Sequence, residues 1–368
     1  MARKPVVQKV LFFLLVSCLL PESDSFAASN IGTPRIMQGP MIGYVTPHEI
    51  TIWARINGSF PFYVEYDEHP DFSNARKTEP ITASRDEDYT VRVQLTDLKP
   101  DTVYYYRAFV NNHADPYVKY SPALSCKTAP ETPARFRVAF GSCARIQRDP
   151  IQPIWNVVQN WNPDLFIWLG DNIYGDSPDI DILREEYRRQ REVPSSLPVL
   201  RSIPQLAVWD DHDYALNNHD RTNPAKEKAL QAFQEYWANP AYGLPEVPGV
   251  FFDYQYGGVD FFFLDVRYHR SPNEEEDGES KTMLGAEQLE WLKTKLSESK
   301  APFKVLVSRQ RLEQCKRRWW RFLGSVFTGA RSSVHFHTRS GNRRCDSAFR
   351  RYPCWRTECH PLVGERGI

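Results

Sequence analysis

Long hydrophobic runs are scarce in this sequence of 368 residues. The longest one, from Val10 to Leu20, is too short to span a bilayer, so no transmembrane helix is expected. An excess of charge of either sign is also missing, because 46 basic residues balance 46 acidic ones. The ordinary charged fraction and frequent aromatics exclude a disordered chain. The length allows two domains, each with its own core.

The net charge of zero hides a marked asymmetry along the chain. Residues 1–308 contain 32 Lys and Arg against 42 Asp and Glu, a net of −10, whereas residues 309–368 contain 14 against 4, a net of +10. The last sixty residues have one Lys but 13 Arg, and four of the seven cysteines: Cys315, Cys345, Cys354 and Cys359. The sequence is therefore an acidic body followed by a basic tail of different composition.

The first 27 residues have the pattern of a signal peptide. A positively charged start precedes the apolar run, and Ser25-Phe-Ala27 supplies small residues for cleavage before Ala28. This pattern predicts a secreted, periplasmic or cell-surface protein. Leu15-Val-Ser-Cys18 resembles a bacterial lipobox, so a lipid anchor at Cys18 is an alternative, and it would be the protein's contact with a membrane.

Residues 34–130 show the alternation typical of β-structure. Turn signals separate four predicted strands at residues 49–55, 62–66, 90–95 and 103–109. The run from Leu95 to Tyr106 resembles the corner of a fibronectin or immunoglobulin-like sandwich, where a tyrosine hydrogen-bonds back across a strand turn. We therefore expect an N-terminal β-sandwich, with Pro130 to Pro133 as a linker.

After the linker, residues 134–308 alternate between strands and helices, which predicts an α/β domain with a parallel or mixed sheet. Gly257-Gly258 predicts a hairpin between strands 249–256 and 259–266. Other strands are expected at residues 135–140, 164–169, 206–209 and 303–307, and helices at residues 151–160, 179–191, 224–237 and 285–297.

Three successive apolar strands end in side chains that can bind metal. The groups are Cys143 after the first strand, Asp171 with Asn172 and Tyr174 after the second, and Asp210, Asp211 and His212 after the third. Ligands bind at the carboxyl ends of strands in open α/β sheets, so these groups should converge. Each residue alone has a structural explanation, such as a buried thiol or a capping carboxylate. The repeated pattern favours a site for hard or borderline cations.

Three motifs in this region resemble the alkaline phosphatase D-like (PhoD-like) metallophosphatases. They are Phe140-Gly-Ser-Cys143, Leu169-Gly-Asp-Asn-Ile-Tyr-Gly-Asp176 and Trp209-Asp-Asp-His-Asp-Tyr214 with the following Asn217-Asn218. The resemblance covers about residues 35–308. It implies an immunoglobulin-like domain before a four-layer α/β/β/α catalytic domain, and hydrolysis of phosphate mono- or diesters by metal-activated hydroxide at a site with iron and calcium, or with other divalent metals.

The resemblance also implies roles for individual residues. The metal ligands would be Cys143, Asp171, Tyr174, Tyr187, Asp210, Asp211, Asn217 and Asn218. His212 would stabilise charge on the phosphoryl group or protonate the leaving oxygen, beside Asp211. Arg145, two residues after the cysteine, is placed to contact phosphate by its charge.

The C-terminal part departs from the family. Later strands of the family end in a Gly-Asp-x-His motif, and no such motif follows Val307. A zinc site in the tail is disfavoured because the cysteine spacings match no common zinc motif. Nucleic-acid binding by the basic tail is not expected either. If the tail did bind nucleic acid, the affinity would depend strongly on the salt concentration. Our preferred hypothesis is that residues 309–368 are translated out of frame, in which case another reading frame of the coding DNA encodes the missing motif.

The expected function is therefore a secreted metal-dependent phosphatase or phosphodiesterase, acting as a monomer on small phosphate esters. The chain would be inactive if the missing ligands are essential. The alternative is a non-catalytic secreted binding protein that uses the β-sandwich beside a degenerate metal domain. Metal content and turnover would distinguish the two.

Overall fold

The N-terminal region consists of antiparallel β-structure. The computed structural model describes residues 32–114, 123–278 and 280–309, so the predicted signal peptide and residues 310–368 of the basic tail lie outside it. One sheet has the order β1-β2-β6, with β1 at Ile36–Val45, β2 at Ile50–Ile56 and β6 at Thr90–Leu95. In the second sheet, β3 (Pro61–Asp67) pairs with β7 (Val103–Val110), and the short strands β4 (Arg76–Lys77), β5 (Ile81–Thr82), β8 (His113–Ala114) and β9 (Leu124–Lys127) flank them.

The four strands predicted in this region are present, within one residue of their expected ends. The predicted tyrosine hydrogen bond is also confirmed, because the hydroxyl of Tyr104 accepts a bond of 2.9 Å from the Lys99 N–H. Strand β1 was missed. Residues 38–43 of this strand are buried without interruption, so polar and apolar residues do not alternate, and its pairing with β2 contains register shifts.

The second region has a parallel sheet with the order β10-β11-β12, formed by Val138–Gly141, Leu165–Leu169 and Gln205–Val208. A further sheet pairs β15 (Phe252–Tyr256) antiparallel with β16 (Val259–Phe263), and β16 parallel with β17 (Phe303–Val307). Between these two sheets in the sequence, β13 (Gly243–Leu244) and β14 (Val247–Pro248) form a two-stranded antiparallel pair. These sheets agree with the predicted mixed α/β class; the sandwich and the four-layer arrangement stay predictions.

Five α-helices accompany these sheets within the described residues: α1 (Ile154–Trp161), α2 (Ile180–Arg191), α3 (Leu197–Ser202), α4 (Lys226–Tyr236) and α5 (Ala286–Glu298). Helix α2 begins where the carboxylate of Asp179 accepts a bond from the Asp181 N–H, a normal N-cap. Helix α3 was not predicted; it has only six residues. In the described part of the chain no helix is long and apolar enough to cross a membrane.

The N-terminal sheets contact the helices through hydrogen bonds that are buried or partly buried. The indole N–H of Trp53 on β2 donates to the Glu235 carbonyl of α4, and the Tyr106 hydroxyl on β7 donates to the Arg201 carbonyl of α3. Asp88 accepts bonds from Arg55 and from Arg188 of α2, and also from the Tyr236 hydroxyl. The β-region therefore supports the helices that lie against the parallel sheet.

Candidate metal centre

The loops after β10 and β11 are joined by backbone hydrogen bonds. The N–H of Cys143 donates to the Gly170 carbonyl at 3.3 Å, and the N–H of Ala144 donates to the Asp171 carbonyl at 3.0 Å. These bonds place Cys143 Sγ 3.1 Å from Asp171 Oδ2. Both residues have positive φ, +62° and +51°, a strained conformation that is often found at functional sites.

Gly170 allows the loop after β11 to approach the loop after β12. Its φ is +89°, and a Cβ atom at this position would lie 2.7 Å from the Asp210 nitrogen and 2.7 Å from the Trp209 carbonyl carbon. No side chain fits at that distance. The glycine before Asp171 is therefore required if the carboxylates after the two strands are to meet.

Asp213 fixes the loop after β12 to the loop after β11. Its buried carboxylate accepts bonds from the N–H groups of Asn172 at 3.1 Å, Ile173 at 3.3 Å and Asp210 at 3.1 Å. Burial, together with the negative charge of Asp171, raises the pKa of Asp213 well above its ordinary value. Sequence reasoning gave this residue no role, although its place in the Asp-Asp-His-Asp run drew attention to it.

These contacts bring two predicted ligands and the predicted catalytic histidine together. Asp171, Asp211 and His212 each offer a ligand atom within 4.8 Å of the others. Asp171 is only 4% exposed, and its Oδ1 has no hydrogen-bond partner among the described residues. A buried carboxylate oxygen without a donor is costly unless a cation is near. The position therefore suits a metal ion.

Tyr174 and His212 lie side by side at the edge of this group. Their ring centroids are 4.1 Å apart, and the guanidinium of Arg145 lies 4.8 Å from the centre of the Tyr174 ring. Burial and the neighbouring Cys143 raise the pKa of Tyr174. Arg145 is exposed, as a residue that contacts a soluble anion should be.

Asp176 is a site residue that the sequence analysis did not assign. Its Oδ1 lies 2.6 Å from His212 Nδ1, so the imidazole is oriented by this carboxylate and Nε2 is left for chemistry. The residue stands at the end of the quoted Gly-Asp-Asn-Ile-Tyr-Gly-Asp motif, but nothing in the motif indicates that it pairs with a histidine 36 positions later.

Two arginines also enter the site, and sequence reasoning missed both. Arg267, 2% exposed, donates from Nε to Asp210 Oδ1 at 2.7 Å and lies 3.5 Å from Asp211 Oδ1. Arg309 contacts Cys143 and Asp171. Their positions depend on chain segments more than 50 residues from the aspartates that they contact, so no local pattern reveals them.

The arginines and burial set the protonation of the two adjacent carboxylates. Burial raises the pKa of Asp210 to about 6, against the opposing charge of Arg267. Burial also acts on Asp211, but the charge of Arg267 and the bond from the Asn218 N–H outweigh it and lower its pKa. Asp211 is therefore the better anionic ligand near neutral pH. Burial raises the pKa of the Cys143 thiol, while the charge of Arg309 acts in the opposite direction.

Three predicted ligands are not brought into this group by their side chains. The hydroxyl of fully buried Tyr187 lies 3.5 Å from Asp213 Oδ1, and its ring stacks on Tyr236, so its described contacts are structural. Asn217 and Asn218 are exposed, and the described contact of Asn218 with Asp211 is through its backbone N–H at 2.8 Å. Tyr187, Asn217 and Asn218 remain ligands by family resemblance alone.

The remaining donors form a set that fits a metal. Thiol, carboxylate and phenol groups from Cys143, Asp171, Tyr174, Asp210 and Asp211 combine hard and borderline ligands, a combination suited to transition metals and, through the oxygens, to calcium. Of these, Asp210 is already paired with Arg267. This composition and the unpaired Asp171 oxygen are the observations that support metal binding here.

Comparison with known proteins shows which family has this combination of domains. The family model described as PhoD-like phosphatase matches residues 138–323, and the one described as PhoD-like phosphatase, N-terminal domain, matches residues 22–130. The chain belongs to the PhoD-like phosphatase family. The residues of this chain that match the PhoD-like phosphatase model include the three loops that form the candidate site. The first of these matches ends at residue 323, whereas the predicted catalytic domain ends at Ser308.

Individual relatives of this PhoD-like chain are distant. Alkaline phosphatase D of Bacillus subtilis (strain 168) is 24% identical over 342 residues, which cover 77% of this chain and 57% of that protein. A solved structure of PhoD has a TM-score of 0.65 and 22% identity, covering 76% of this chain and 63% of the other. A purple acid phosphatase, PPD1, from yellow lupin (Lupinus luteus) seeds has a TM-score of 0.51 and 16% identity, covering 76% and 51%. This chain therefore spans less than two thirds of each relative.

Proposed function

We propose that this protein hydrolyses phosphate esters with the help of metal ions bound at the ends of β10, β11 and β12. The observation that carries the proposal is the convergence of Asp171, Asp211 and His212 around a buried carboxylate oxygen that lacks a partner among the described residues. Membership of the PhoD-like phosphatase family supports the same reaction class. Iron and calcium are the metals that the family resemblance suggests, and other divalent ions would suit the oxygen donors.

The residues of the site would have three roles, which are metal binding, phosphate binding and proton transfer. Cys143, Asp171, Tyr174 and Asp211 would hold metal, which supplies Lewis acidity and a lowered pKa for water when bound. Exposed Arg145 would bind a phosphoryl oxygen. His212, held through Nδ1 by Asp176, would present Nε2 to the ester, where it would stabilise charge or give a proton to the leaving oxygen.

We also propose that the protein is exported, as residues 1–27 indicate, and that its substrates are small phosphate mono- or diesters. The composition of the N-terminal residues supports export. At the edge of the site Arg145 is exposed and Tyr174 and His212 are partly exposed, which supports access of a small anionic ester.

The test is hydrolysis of 4-nitrophenyl phosphate and bis(4-nitrophenyl) phosphate by the purified full chain. We expect turnover that a chelator abolishes and added Fe³⁺ with Ca²⁺, or Mn²⁺, restores. A His212→Ala variant should lose at least about a hundredfold in kcat, while an exposed control, His113→Ala, should keep wild-type activity. Turnover that a chelator leaves unchanged would contradict the proposal.

One observation favours a second function, that of a non-catalytic binding protein. The guanidinium groups of Arg267 and Arg309 already neutralise part of the charge of Asp210, Asp211 and Asp171. If these pairs prevent metal loading, the chain would bind partners without catalysis. A chain that hydrolyses neither ester, and contains no transition metal after incubation with excess Fe³⁺ or Mn²⁺, would support this alternative.

A further inference from the structure

Arg309 inserts a positive charge among the predicted metal ligands. It lies two residues after the end of β17, and its Nη2 is 3.2 Å from Cys143 Sγ and 3.3 Å from Asp171 Oδ2. Its Nε is 3.4 Å from Asp210 Oδ2. One guanidinium therefore touches groups from the ends of all three parallel strands.

The atoms that Arg309 contacts are arranged as two ligands of one ion would be. Cys143 Sγ and Asp171 Oδ2 are 3.1 Å apart. Ligands at about 2.3 Å for sulfur and about 2.1 Å for oxygen would be separated by roughly 3 Å if they met at a right angle. Because Nη2 is within 3.3 Å of both atoms, a metal ion bound to both on the side that faces Nη2 would lie too close to the guanidinium. Arginine and a metal ion on that side exclude each other.

Asp171 also faces a second cation position, to which Arg309 makes no described contact. Asp171, Asp211 and His212 can direct ligand atoms to a common point, and Oδ1 of Asp171 has no partner among the described residues. The carboxylate thus has one oxygen paired with a guanidinium and one unpaired. This asymmetry indicates two adjacent cation positions that share Asp171.

We propose that the guanidinium of Arg309 takes the place of one metal ion at the Cys143 and Asp171 position. The chain then binds one metal readily, through Asp171 and Asp211 beside His212, and a second one only after Arg309 is displaced. This inference rests on the metal centre of the proposed function, and it adds competition by a side chain. The side chain of Arg309 is 32% exposed, so its guanidinium would move towards solvent when a metal ion displaces it.

The test is a Co²⁺ titration of the metal-free full chain, followed by calorimetry and by the absorption band that arises when cobalt binds a thiolate. For wild type we expect one equivalent to bind without the thiolate band. Arg309→Gln and Arg309→Ala should bind a second equivalent about ten- to a hundredfold more tightly than wild type does, because a charge-assisted contact no longer competes. In both variants the second equivalent should produce the band.

Two controls connect these signals to the proposed atoms. Cys143→Ser combined with Arg309→Gln should remove the thiolate band, and Arg135→Gln, which changes an exposed arginine before β10, should behave as wild type. A thiolate band at the first equivalent in wild type would overturn the competition but leave the metal centre intact. Failure of every variant to bind Co²⁺ would overturn both the competition and the proposed function.

Discussion

The pair of His212 and Asp176 is a small feature with a defined chemical role. The carboxylate is 2.6 Å from Nδ1, and the ring of Tyr174 packs on the imidazole. Such a partner fixes the tautomer and the direction of the reactive nitrogen. It would therefore act on catalysis through His212, as a positioning residue.

We predict that Asp176→Asn lowers kcat about ten- to a hundredfold and changes the free energy of unfolding by less than about 1 kcal/mol, because Asp176 is half exposed. KM should change much less than kcat, and the pH dependence of kcat should shift. Asp277→Asn, at an exposed ion pair, is the matched control. Equal loss of activity in both variants would contradict the assigned role.

At the scale of single residues, local sequence predicted part of the site. Cys143, Asp171 and Asp211 could be predicted because each follows an apolar strand directly, and strand ends of a parallel sheet meet. Arg267 and Arg309 could not, because their side chains reach the site from segments far along the chain. The folded structure is needed to show that two guanidinium groups lie beside the carboxylates.

The loops after β11 and β12 are the elements whose contact creates the site. Gly170 has a positive φ and leaves no room for a Cβ, and Asp213 joins the same loops through three backbone bonds. The parallel strands bring both loops to the same edge of the sheet, and Gly170 and Asp213 allow the loops to lie in contact.

We predict that Gly170→Ala lowers the free energy of unfolding by about 2–4 kcal/mol and weakens Mn²⁺ binding, because the added methyl separates the two loops. Gly278→Ala is the control, since a Cβ there would meet nothing closer than 3.9 Å. Urea unfolding and calorimetric titration would measure both effects. Equal free energies of unfolding and equal Mn²⁺ affinities of the two alanine variants would contradict the role assigned to Gly170.

Among the elements, strands with one buried face were predicted well and β1 was not. The alternation in β7, for example, is regular, with every second residue buried. Strand β1 contains Gly39, Pro40 and Gly43, and Gly43 packs closely against Ala238. Its burial comes from contacts with distant helices, so the local pattern resembled a loop.

On the scale of the whole molecule, Asp88 connects the β-region to the helices of the catalytic region. Its carboxylate accepts bonds from Arg55 of β2, from Arg188 of α2 at 3.0 Å, and from Tyr236 of α4. Burial alone would raise the pKa of Asp88, but the bonds from Arg55 and Tyr236 outweigh it and hold the pKa below its ordinary value.

We predict that Asp88→Asn lowers the free energy of unfolding by about 2–3 kcal/mol at neutral pH, because two arginines lose their anion. The pKa is lower in the folded state, so the unfolded state binds more protons and stability rises with pH in that window. The difference from wild type should be complete well above the ordinary pKa of an aspartate and shrink as the pH falls through and below that pKa. Urea unfolding at several pH values measures it.

Asp253→Asn, which removes an exposed partner of Lys295, is the control and should change stability by less than about 0.5 kcal/mol at any pH. A pH-independent difference between wild type and Asp88→Asn would show that the carboxylate charge has no part in joining the two regions.

The central claim is that Asp171 and its neighbours bind metal, and the most direct measurement is a calorimetric Mn²⁺ titration of the full chain and of Asp171→Asn. We predict saturable binding of one equivalent to the wild type, and affinity at least about tenfold weaker in Asp171→Asn, because the shared ligand loses its charge. Equal Mn²⁺ binding by both proteins, or none by the wild type, would contradict the account.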